Sequence, residues 1–454
     1  MLTAIIPIHS IESAQVLIQQ AHHADVLEFR LDYLSEINFD KIKLLQVFAK
    51  KPVLFTLRKP EQGGVYQGNE AQRLAIIEKL ITLNPDYLDI EHDVALAFCQ
   101  KLKSLSSKTK LICSYHNFVN TPDDLQKILN TMINPVFDVY KIITTAESIL
   151  DTLQVIEFLK QNSQHHLITH AMGEVGVTSR ILGKVFGNYF TYASVDTQNI
   201  APGLLTLDEL VNIYHYPTLN DQTKVYGLIG DPVIQSIGHI YHNAEFVKHH
   251  QNAVYVKFHV KPEELEKFMN NLFVEGLSVT MPHKQAVLAF CSKTTDAVKA
   301  IGAANTLIKT QNGFLAANTD GEAVVKILPQ DLNNKKVVVL GAGGAANSII
   351  YSLKKTGAQV LVYNRTQYSV DILPLKQAKQ ATYDILINTI PAKHYNPQDI
   401  NFIKDKIIMD ANYQATSTQL IQDGLKHGCQ CIEGQAMFYA QAKLQRELWF
   451  KQDE

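Results

Sequence analysis

The first 214 residues alternate between short apolar runs and longer segments in which apolar residues recur at helical spacing. The apolar runs number eight and lie at 4–8, 26–31, 53–57, 87–90, 110–114, 139–143, 167–169 and 190–193. Helical segments such as 71–83 and 121–130 separate most of them. Many of the runs are apolar at consecutive positions, which is typical of parallel strands covered by helices. Eight strand–helix units of this size predict a (β/α)8 barrel.

The alternation stops at a polar stretch, 216–222, which predicts a turn or linker, and a new strand pattern follows at 225–229. Further along, a strand pattern at 336–340 leads into a glycine-rich loop and a helical segment at 347–356. The loop reads Gly341-Ala342-Gly343-Gly344-Ala345-Ala346. Glycines at this place let a backbone approach a pyrophosphate, and the helix N-terminus supplies N–H donors. The second half therefore predicts a dinucleotide-binding α/β domain.

Composition narrows the class of protein further. A chain of 454 residues is too long for one compact core. Its 42 Lys and Arg nearly balance its 44 Asp and Glu, so net charge gives no argument for nucleic acid or a membrane surface as partner. Five cysteines without a C-x-x-C motif suggest neither a zinc ribbon nor a disulfide framework. We expect no metal, no export signal, no membrane span, and a cytoplasmic location.

Polar residues gather at the ends of the predicted barrel strands, where they share the face on which barrel active sites lie. They are Glu28, Arg30, Asp32, Arg58, Asp89, Glu91, His116, Lys141 and Arg180. A single charged residue at a strand end is ordinarily a solvated cap, but here most of the strands contribute. Three arginines near a lysine and a histidine suit an anionic substrate such as a carboxylate.

Lys141 lies in the middle of a strand pattern, Val139-Tyr140-Lys141-Ile142-Ile143. One interpretation is a solvated lysine at a strand edge. The other is a desolvated amine whose lowered pKa makes it a nucleophile toward ketones. His116 would then move protons, because imidazole titrates near neutrality.

The motifs of the first half resemble type I 3-dehydroquinate dehydratase in order and over nearly all of residues 1–210. They are Leu27-Glu28-Phe29-Arg30-Leu31-Asp32, Thr56-Leu57-Arg58, Tyr87-Leu88-Asp89-Ile90-Glu91, Ser114-Tyr115-His116-Asn117-Phe118, Val139-Tyr140-Lys141-Ile142 and Met172-Gly173 leading to Ser179-Arg180. The resemblance implies that Lys141 forms a Schiff base with the substrate ketone and that His116 transfers the protons. It also implies that Glu28, Arg30, Arg58 and Arg180 hold the substrate's hydroxyls and carboxylate.

This half departs from the family at three positions that would carry hydrogen-bonding side chains or line the lid. Gln62 stands where the family usually has Glu before a Gly-Gly pair, and Ile200 and Leu204 flank the Ala-Pro-Gly of the closing motif. We expect the apolar residues Ile200 and Leu204 to leave the pair of Lys141 and His116 untouched and to affect substrate affinity and the lid over the site.

The second half resembles shikimate dehydrogenase over about residues 223–450. The motifs lie at 229–233, 242–244, 278–284, 302–306, 318–320, 363–366, 388–391 and 437–442. The resemblance implies that Lys284 and Asp320 form a polar pair beside the reacting carbonyl. Ser236, Thr280, Asn305, Tyr413 and Gln441 would hold the ring substituents. Ser236-Ile237-Gly238 departs from the family's Ser-x-Ser, and His239 replaces a proline, so carboxylate binding by this loop is altered.

The residues around the glycine-rich loop predict which cofactor the second half binds. An acidic residue about 20 positions past the glycines favours NAD(H), whereas an arginine accommodates the 2′-phosphate of NADP(H). Here the strand pattern ends in Asn364-Arg365-Thr366, and no Asp or Glu lies between Gly341 and Arg365. We predict NADP(H), bound by Gly341, Ala342, Gly343, Gly344, Ala345, Asn364, Arg365 and Thr366.

The two resemblances together imply an α/β chain that dehydrates 3-dehydroquinate and then reduces 3-dehydroshikimate to shikimate, as in the fused enzyme of plants and chlamydia-like bacteria. They imply a barrel at 1–215, a substrate-binding domain at 223–330 completed by 435–454, and a Rossmann domain at 331–434. Two alternatives stay open: a quinate-oxidising enzyme of altered preference, and a non-catalytic sensor of quinate or shikimate. A sensor would have no reason to keep His116, Lys141, Lys284 and Asp320 together.

Overall fold

The computed structural model describes residues 1–196, 201–329, 331–366, 371–394, 396–413 and 417–451. The chain forms two compact units. One contains residues 1–224 and 243–272, and the other contains residues 225–242 and 273–454. Among the described residues, no helix combines the length and the apolar character needed to cross a membrane.

The first unit is built on eight parallel strands in the order β7-β6-β5-β4-β3-β2-β1-β8, which confirms the predicted barrel. Its strands are β1 (Leu2–Pro7), β2 (Val26–Arg30), β3 (Val53–Thr56), β4 (Tyr87–Glu91), β5 (Lys110–His116), β6 (Val139–Thr145), β7 (Leu167–Met172) and β8 (Thr191–Ser194). The helices between them are α1 (Ile11–Gln20), α2 (Phe39–Ala49), α3 (Glu70–Ile81), α4 (Leu96–Leu105), α5 (Leu125–Met132), α6 (Ile149–Gln161) and α7 (Val177–Leu182).

Side-chain caps set where most of these helices begin. The side chains of Ser10, Asn38, Asn69, Asp124 and Ser148 each accept a hydrogen bond from a backbone N–H in the first turn of the helix that follows. Such caps satisfy N–H groups that have no partner within the helix. The predicted helix at 121–130 therefore begins only after Asp124, and ends at Met132.

An apolar layer fills the barrel on the amino-terminal side of its strands. Each strand contributes to it, through Ile5, Val26, Leu54, Tyr87, Ile112, Val139, Ile168 and Phe190. Because side chains alternate between the two faces of a strand, the residues two and four positions further along point to the same interior. This spacing carries the polar residues of the sequence analysis toward the carboxyl ends of the strands.

The polar stretch predicted as a turn or linker is held against the barrel. It contains a short 3₁₀ helix, Tyr216–Thr218, and Tyr216 is only 1% exposed. The Lys184 ammonium donates hydrogen bonds to the carbonyl oxygens of Tyr216 and Pro217, at 3.1 and 2.6 Å. The apolar area of Tyr216 gives the stretch an anchor that its polar composition does not suggest.

After this stretch the chain runs through β9 (Lys224–Gly230), α8 (Gly238–Lys248), β10 (Ala253–His259) and α9 (Leu265–Asn270). The segment 243–272 packs within the first unit, where the Thr178 hydroxyl of α7 donates to the carbonyl oxygen of Lys257 at 2.8 Å.

The second unit holds two sheets. In the first, five strands lie in the order β9-β11-β13-β14-β12, with antiparallel pairs between β11 and β13 and between β13 and β14. These strands after β9 are β11 (Gly276–Val279), β12 (Cys291–Thr294), β13 (Thr306–Thr310) and β14 (Gly313–Ala317). The accompanying helices are α10 (Asp296–Ile301) and α11 (Asp320–Ile327).

The second sheet is parallel, in the order β17-β16-β15-β18-β19-β20. Its elements are β15 (Lys336–Leu340), α12 (Gly344–Lys355), β16 (Gln359–Asn364), β17 (Ile372–Pro374), β18 (Ile385–Asn388), β19 (Ile407–Asp410), α13 (Gln419–Lys426), β20 (Gln430–Ile432) and α14 (Gly434–Phe450). The strand order reverses beside β15, and such a reversal opens a crevice at the carboxyl ends of the strands. The predicted dinucleotide-binding fold is confirmed.

Candidate active sites

A polar layer lies directly above the apolar layer inside the barrel. Its residues are 4% exposed or less and come from seven consecutive strands: Glu28, Thr56, Asp89, Ser114, Lys141, His170 and Tyr192. With the next residues along the strands they line a cavity of about 560 Å³ of empty volume. The structure thus brings together Glu28, Arg30, Arg58, His116, Lys141 and Arg180, all six candidate residues of the barrel.

One side of this cavity is a connected network of ion pairs. Arg58 donates to Asp89 and to Ser114, each at 2.7 Å, and Ser114 donates to the other oxygen of Asp89 at 2.5 Å. Arg30 binds Asp32 through two hydrogen bonds, at 2.9 and 2.7 Å. Two of the three candidate arginines are therefore already paired with carboxylates of the protein.

Lys141 is buried, so the interpretation as a solvated strand-edge lysine is wrong. Its ammonium nitrogen lies 3.2 Å from Asp89 and 3.8 Å from Glu28, and 4.3 Å from the ring centroid of Tyr192. Burial lowers the pKa of Lys141, although the two carboxylates oppose that change. For Asp89, burial favours the neutral form, but Arg58 and Lys141 outweigh it and hold its pKa at about 2.

Gln62, one of the departures from the family, contacts His116 directly. The Gln62 carbonyl oxygen accepts from the His116 backbone N–H at 2.9 Å and lies 3.4 Å from its ring Nδ1. Burial, followed by the charges of Arg58, Lys141 and Arg30, lowers the pKa of His116 well below its ordinary value. The imidazole is therefore neutral at neutral pH and able to accept a proton.

Arg180 differs from the other two arginines because no carboxylate of the described residues pairs with it. Its Nη1 lies 2.8 Å from Nε2 of His170, and its Nε has no hydrogen-bond partner among the described residues. Burial lowers the pKa of Arg180 to about 9. This guanidinium is a buried cation with capacity for an anion.

His170 and Tyr192 were not identified from the sequence. Tyr192 lies in an apolar strand run and His170 directly follows one, where an aromatic or imidazole ring has the pattern of a core residue. The available signal was the alternation of the strands, because His170 lies two residues after the inward-facing Ile168 and Tyr192 two residues after Phe190. Of the lid departures, Leu204 lines the cavity, and Ile200 lies outside the described residues.

In the second unit, Lys284 and Asp320 form an ion pair with 2.6 Å between the ammonium nitrogen and Oδ2. The Asn305 amide donates to the other Asp320 oxygen at 2.7 Å and to Thr319 at 2.9 Å. Asn305 also lies 3.5 Å from the side-chain oxygen of Gln441. Asp320 begins α11, so the helix start fixes the carboxylate while the amide fixes its orientation.

The remaining substrate-site candidates are less completely defined by contacts. Tyr413 packs on Phe438 with ring centroids 5.1 Å apart, and burial, then Asp320, raises its pKa. The Ser236 hydroxyl accepts from the Gly238 backbone N–H at 3.2 Å. The Thr280 backbone N–H donates a hydrogen bond to the carbonyl oxygen of Ile229 at 3.0 Å, which fixes the backbone at this position.

The glycine-rich loop connects β15 to α12, which begins at Gly344, three residues earlier than predicted. Gly341 has φ of +107°, and a Cβ on it would lie 2.3 Å from the Thr389 hydroxyl. Gly343 precedes the helix without a side-chain cap, and a Cβ there would meet nothing within 4 Å. Open space above uncapped N–H donors fits a pyrophosphate.

The other loop candidates surround this opening. Ala342, Gly344 and Ala345 are half-buried, and Arg365 and Thr366 are exposed just after β16. The Asn364 amide donates to Thr366 O at 2.9 Å and so shapes the turn that carries Arg365. Across the described residues, no group of three or more His, Cys, Asp or Glu side chains could hold a metal ion.

Comparison with known proteins finds three matching regions along the chain. Residues 3–221 match type I 3-dehydroquinase, 228–307 match the shikimate dehydrogenase substrate binding domain, and 322–402 match shikimate / quinate 5-dehydrogenase. The shikimate biosynthesis protein AroDE of Chlamydia pneumoniae is 33% identical over 97% of this chain and 93% of its own length. The chloroplastic bifunctional 3-dehydroquinate dehydratase/shikimate dehydrogenase of Arabidopsis thaliana is 31% identical over 97% of this chain and 80% of its own length.

Among solved structures, shikimate dehydrogenase of Aquifex aeolicus is 31% identical, with a TM-score of 0.47 over 51% of this chain and 94% of that one. The fold, the two groups of polar residues and the matching families together define an enzyme of the shikimate pathway with two active sites. One half is a lyase and the other is an oxidoreductase. The chain belongs to the family of bifunctional 3-dehydroquinate dehydratase/shikimate dehydrogenases.

The contact between Gln62 and His116 yields a testable prediction about proton affinity. Gln62→Glu places a carboxylate where the amide oxygen now lies 3.4 Å from Nδ1. An opposite charge at this distance stabilises the imidazolium, so we expect the pKa of His116 to rise by about one pH unit or more. NMR titration of the imidazole measures it. Gln161→Glu at the exposed end of α6 is the matched control, and equal pKa values in both variants would contradict the prediction.

Proposed function

We propose that Lys141 and His116 dehydrate 3-dehydroquinate to 3-dehydroshikimate through a Schiff base, and that Lys284 and Asp320 serve its NADPH-dependent reduction to shikimate. The observation that carries the first proposal is the burial of the Lys141 amine inside a cavity that also contains a neutral imidazole and an unpaired guanidinium. A buried amine loses its proton more readily than a solvated one and can then attack a ketone.

The dehydration proceeds in balanced steps. The free amine of Lys141 adds to the ketone carbon, and loss of water gives a protonated imine. His116 removes a proton from the carbon beside the imine, and the imine nitrogen takes up the electron pair. The electron pair then moves back from the nitrogen, so that the protonated imine re-forms and a carbon–carbon double bond forms as the C–O bond breaks. His116 gives its proton to the departing hydroxyl, which leaves as a second water molecule. Hydrolysis of the imine uses one water molecule, releases 3-dehydroshikimate and restores Lys141.

The charges in the cavity support an assignment of substrate groups. Arg180 has no carboxylate partner among the described residues, so it binds the substrate carboxylate. Glu28, Arg30 and Arg58 bind ring hydroxyls through the lone pairs and N–H groups that their ion pairs leave available. The apolar Leu204 lines the same cavity and excludes water there.

The Schiff base makes a direct prediction. Borohydride added with 3-dehydroquinate should reduce the imine to a stable secondary amine on Lys141, which peptide mass spectrometry locates. Lys141→Ala should abolish the adduct, and Lys110→Ala, which removes an exposed lysine from β5, should not. His116→Ala should slow dehydration by about 10²–10⁴-fold, the usual effect of a positioned acid–base group. An adduct that persists in Lys141→Ala would overturn the assignment.

The second site is suited to reduction because carbonyl reduction builds negative charge on oxygen. NADPH, when bound, supplies the hydride. Lys284 stabilises the developing alkoxide and supplies its proton, and Asp320 orients the ammonium and accepts from a ring hydroxyl. Ser236, Thr280, Asn305, Tyr413 and Gln441 hold the other ring substituents.

Lys284→Ala should separate turnover from cofactor binding. We expect the rate of 3-dehydroshikimate reduction to fall by about 10²–10⁴-fold, because the group that neutralises the alkoxide is lost. The dissociation constant for NADPH, followed by its fluorescence, should change less than about threefold. Lys326→Ala, which removes an exposed lysine paired with Glu322 on α11, is the control. Activity lost on EDTA treatment and restored by zinc would contradict a reaction that needs no metal.

The cofactor is NADP(H), held at its pyrophosphate by residues 341–345 and at its 2′-phosphate by Asn364, Arg365 and Thr366. Two features support this: the uncapped start of α12 and the exposed Arg365 at the carboxyl end of the neighbouring strand. No carboxylate between the glycines and Arg365 repels the phosphate.

Arg365→Ala should weaken NADPH binding by about ten- to a hundredfold, since a charged hydrogen bond is worth about 1.5–3 kcal/mol. NADH has no 2′-phosphate, so its affinity should stay nearly constant. Lys354→Ala, near the end of α12, controls for loss of positive charge. Equal weakening for NADPH and NADH would show that Arg365 does not bind the phosphate.

We also propose a cytoplasmic location for this enzyme. All five cysteines are free thiols, which fits a reducing cytoplasm. The substrates are small carboxylated rings, with neither nucleic acid nor membrane as partner. We assign residues 1–215 to the dehydratase, 223–330 with 435–454 to dehydroshikimate binding, and 331–434 to the cofactor.

A further inference from the structure

One wall of the barrel cavity has buried hydrogen-bonding groups without partners among the described residues, whereas the charged residues of the opposite wall are paired with one another. Arg180 Nε, His170 Nδ1 and the Tyr192 hydroxyl are buried and have no hydrogen-bond partner among the described residues. They come from α7, β7 and β8, and all three side chains line the cavity. On the side of β2 to β5, the Arg30, Arg58, Asp89 and Ser114 side chains are joined by ion pairs or hydrogen bonds.

The contact with Arg180 determines the protonation of His170. A guanidinium can only donate, so His170 Nε2, 2.8 Å from Nη1, accepts the hydrogen bond. A neutral imidazole with an accepting Nε2 carries its proton on Nδ1. Protonation of both nitrogens would set a second cation against Arg180, and burial, followed by the Arg180 and Lys141 charges, lowers the pKa of His170. His170 Nδ1 is therefore a buried donor.

Tyr192 adds a second donor at the same wall. Its ring centroid lies 4.3 Å from the Lys141 ammonium and 6.2 Å from the His170 ring. Burial, followed by the carboxylates of Glu28 and Asp89, raises the pKa of Tyr192, so the phenol keeps its proton. Buried donors without partners are costly, and where several meet in one cavity a ligand that accepts hydrogen bonds removes the cost.

We propose that His170 and Tyr192 are specificity residues of the dehydratase site, which bind oxygen atoms of the substrate beside the carboxylate held by Arg180. His170 has a second task, because its Nε2 holds the guanidinium without neutralising it. A carboxylate in its place would cancel the positive charge, and an apolar residue would leave Nη1 without this partner. This inference rests on the proposed function of the barrel and extends it to two residues.

Steady-state dehydration by the full-length chain tests the proposal with three variants. Tyr192→Phe removes only the hydroxyl and keeps the ring beside Lys141. His170→Gln keeps an acceptor for Arg180 but has no donor at the position of Nδ1, and His170→Phe removes both. We expect each to raise the KM for 3-dehydroquinate about tenfold or more, with kcat within about threefold, because these bonds form equally in the bound substrate and the transition state.

We expect a larger KM for His170→Phe than for His170→Gln, because only the Phe variant also removes the hydrogen-bond acceptor of Arg180. The 3-dehydroshikimate reduction rate of the same chains reports an intact second unit, and borohydride trapping at saturating substrate reports an intact Lys141 site. If His170→Phe fails to fold, Tyr192→Phe and His170→Gln decide. KM values within threefold of wild type in those two variants, or a fall in kcat at unchanged KM, would overturn the proposal. Absence of trapping in the wild-type chain would instead reject the Schiff-base function.

Discussion

The burial of one lysine amine inside a parallel barrel is the constraint on which the dehydratase half depends. An isolated ammonium in such an interior is strongly unfavourable, so Lys141 needs Asp89 and Glu28 within 4 Å. Asp89 in turn needs Arg58 and Ser114, while Glu91, close to Arg58, is paired with Arg73 of α3. Each buried charge is thus stabilised by a neighbouring opposite charge, and this series of ion pairs runs from Lys141 on β6 to Arg73 on α3. The apolar layer below holds the strands in the register that keeps these distances.

The second unit positions Lys284 with fewer charged neighbours than Lys141 has. At its candidate site, the ion pair between Lys284 and Asp320 is partly open to solvent and is aligned by the Asn305 amide. Asn305 is held on both sides, because its oxygen accepts from the Thr306 hydroxyl and the Thr319 backbone N–H at 2.7 and 2.9 Å. The chain thus positions a lysine at each candidate site: Lys141 by burial among charges, and Lys284 by pairing with a carboxylate at the first residue of a helix.

The sequence was sufficient for the parts that depend on local periodicity. All eight barrel strands and the β15–α12–β16 unit follow from apolar runs, glycines and helical spacing, and the six barrel candidates do line one cavity. The contacts that the sequence did not predict mostly join distant parts of the chain. The pairing of Arg58 with Asp89, the contact of Gln62 with His116 and the burial of Tyr216 depend on strand register and loop closure, which local sequence does not encode. Arg30 instead binds Asp32, two residues further along the chain. His170 and Tyr192 escaped notice because a ring in an apolar run has the same local pattern whether it faces core or cavity.

The Arg180 guanidinium, which has no carboxylate partner among the described residues, links the stability of the dehydratase half to its ligand. Under the proposed assignment, the substrate carboxylate binds this buried cation in the folded barrel and not in the unfolded chain. Stability then rises with ligand concentration, by about 2.7 kcal/mol at a hundredfold excess over the dissociation constant. Bound substrate would in this way lower the fraction of unfolded chain that a protease can cleave.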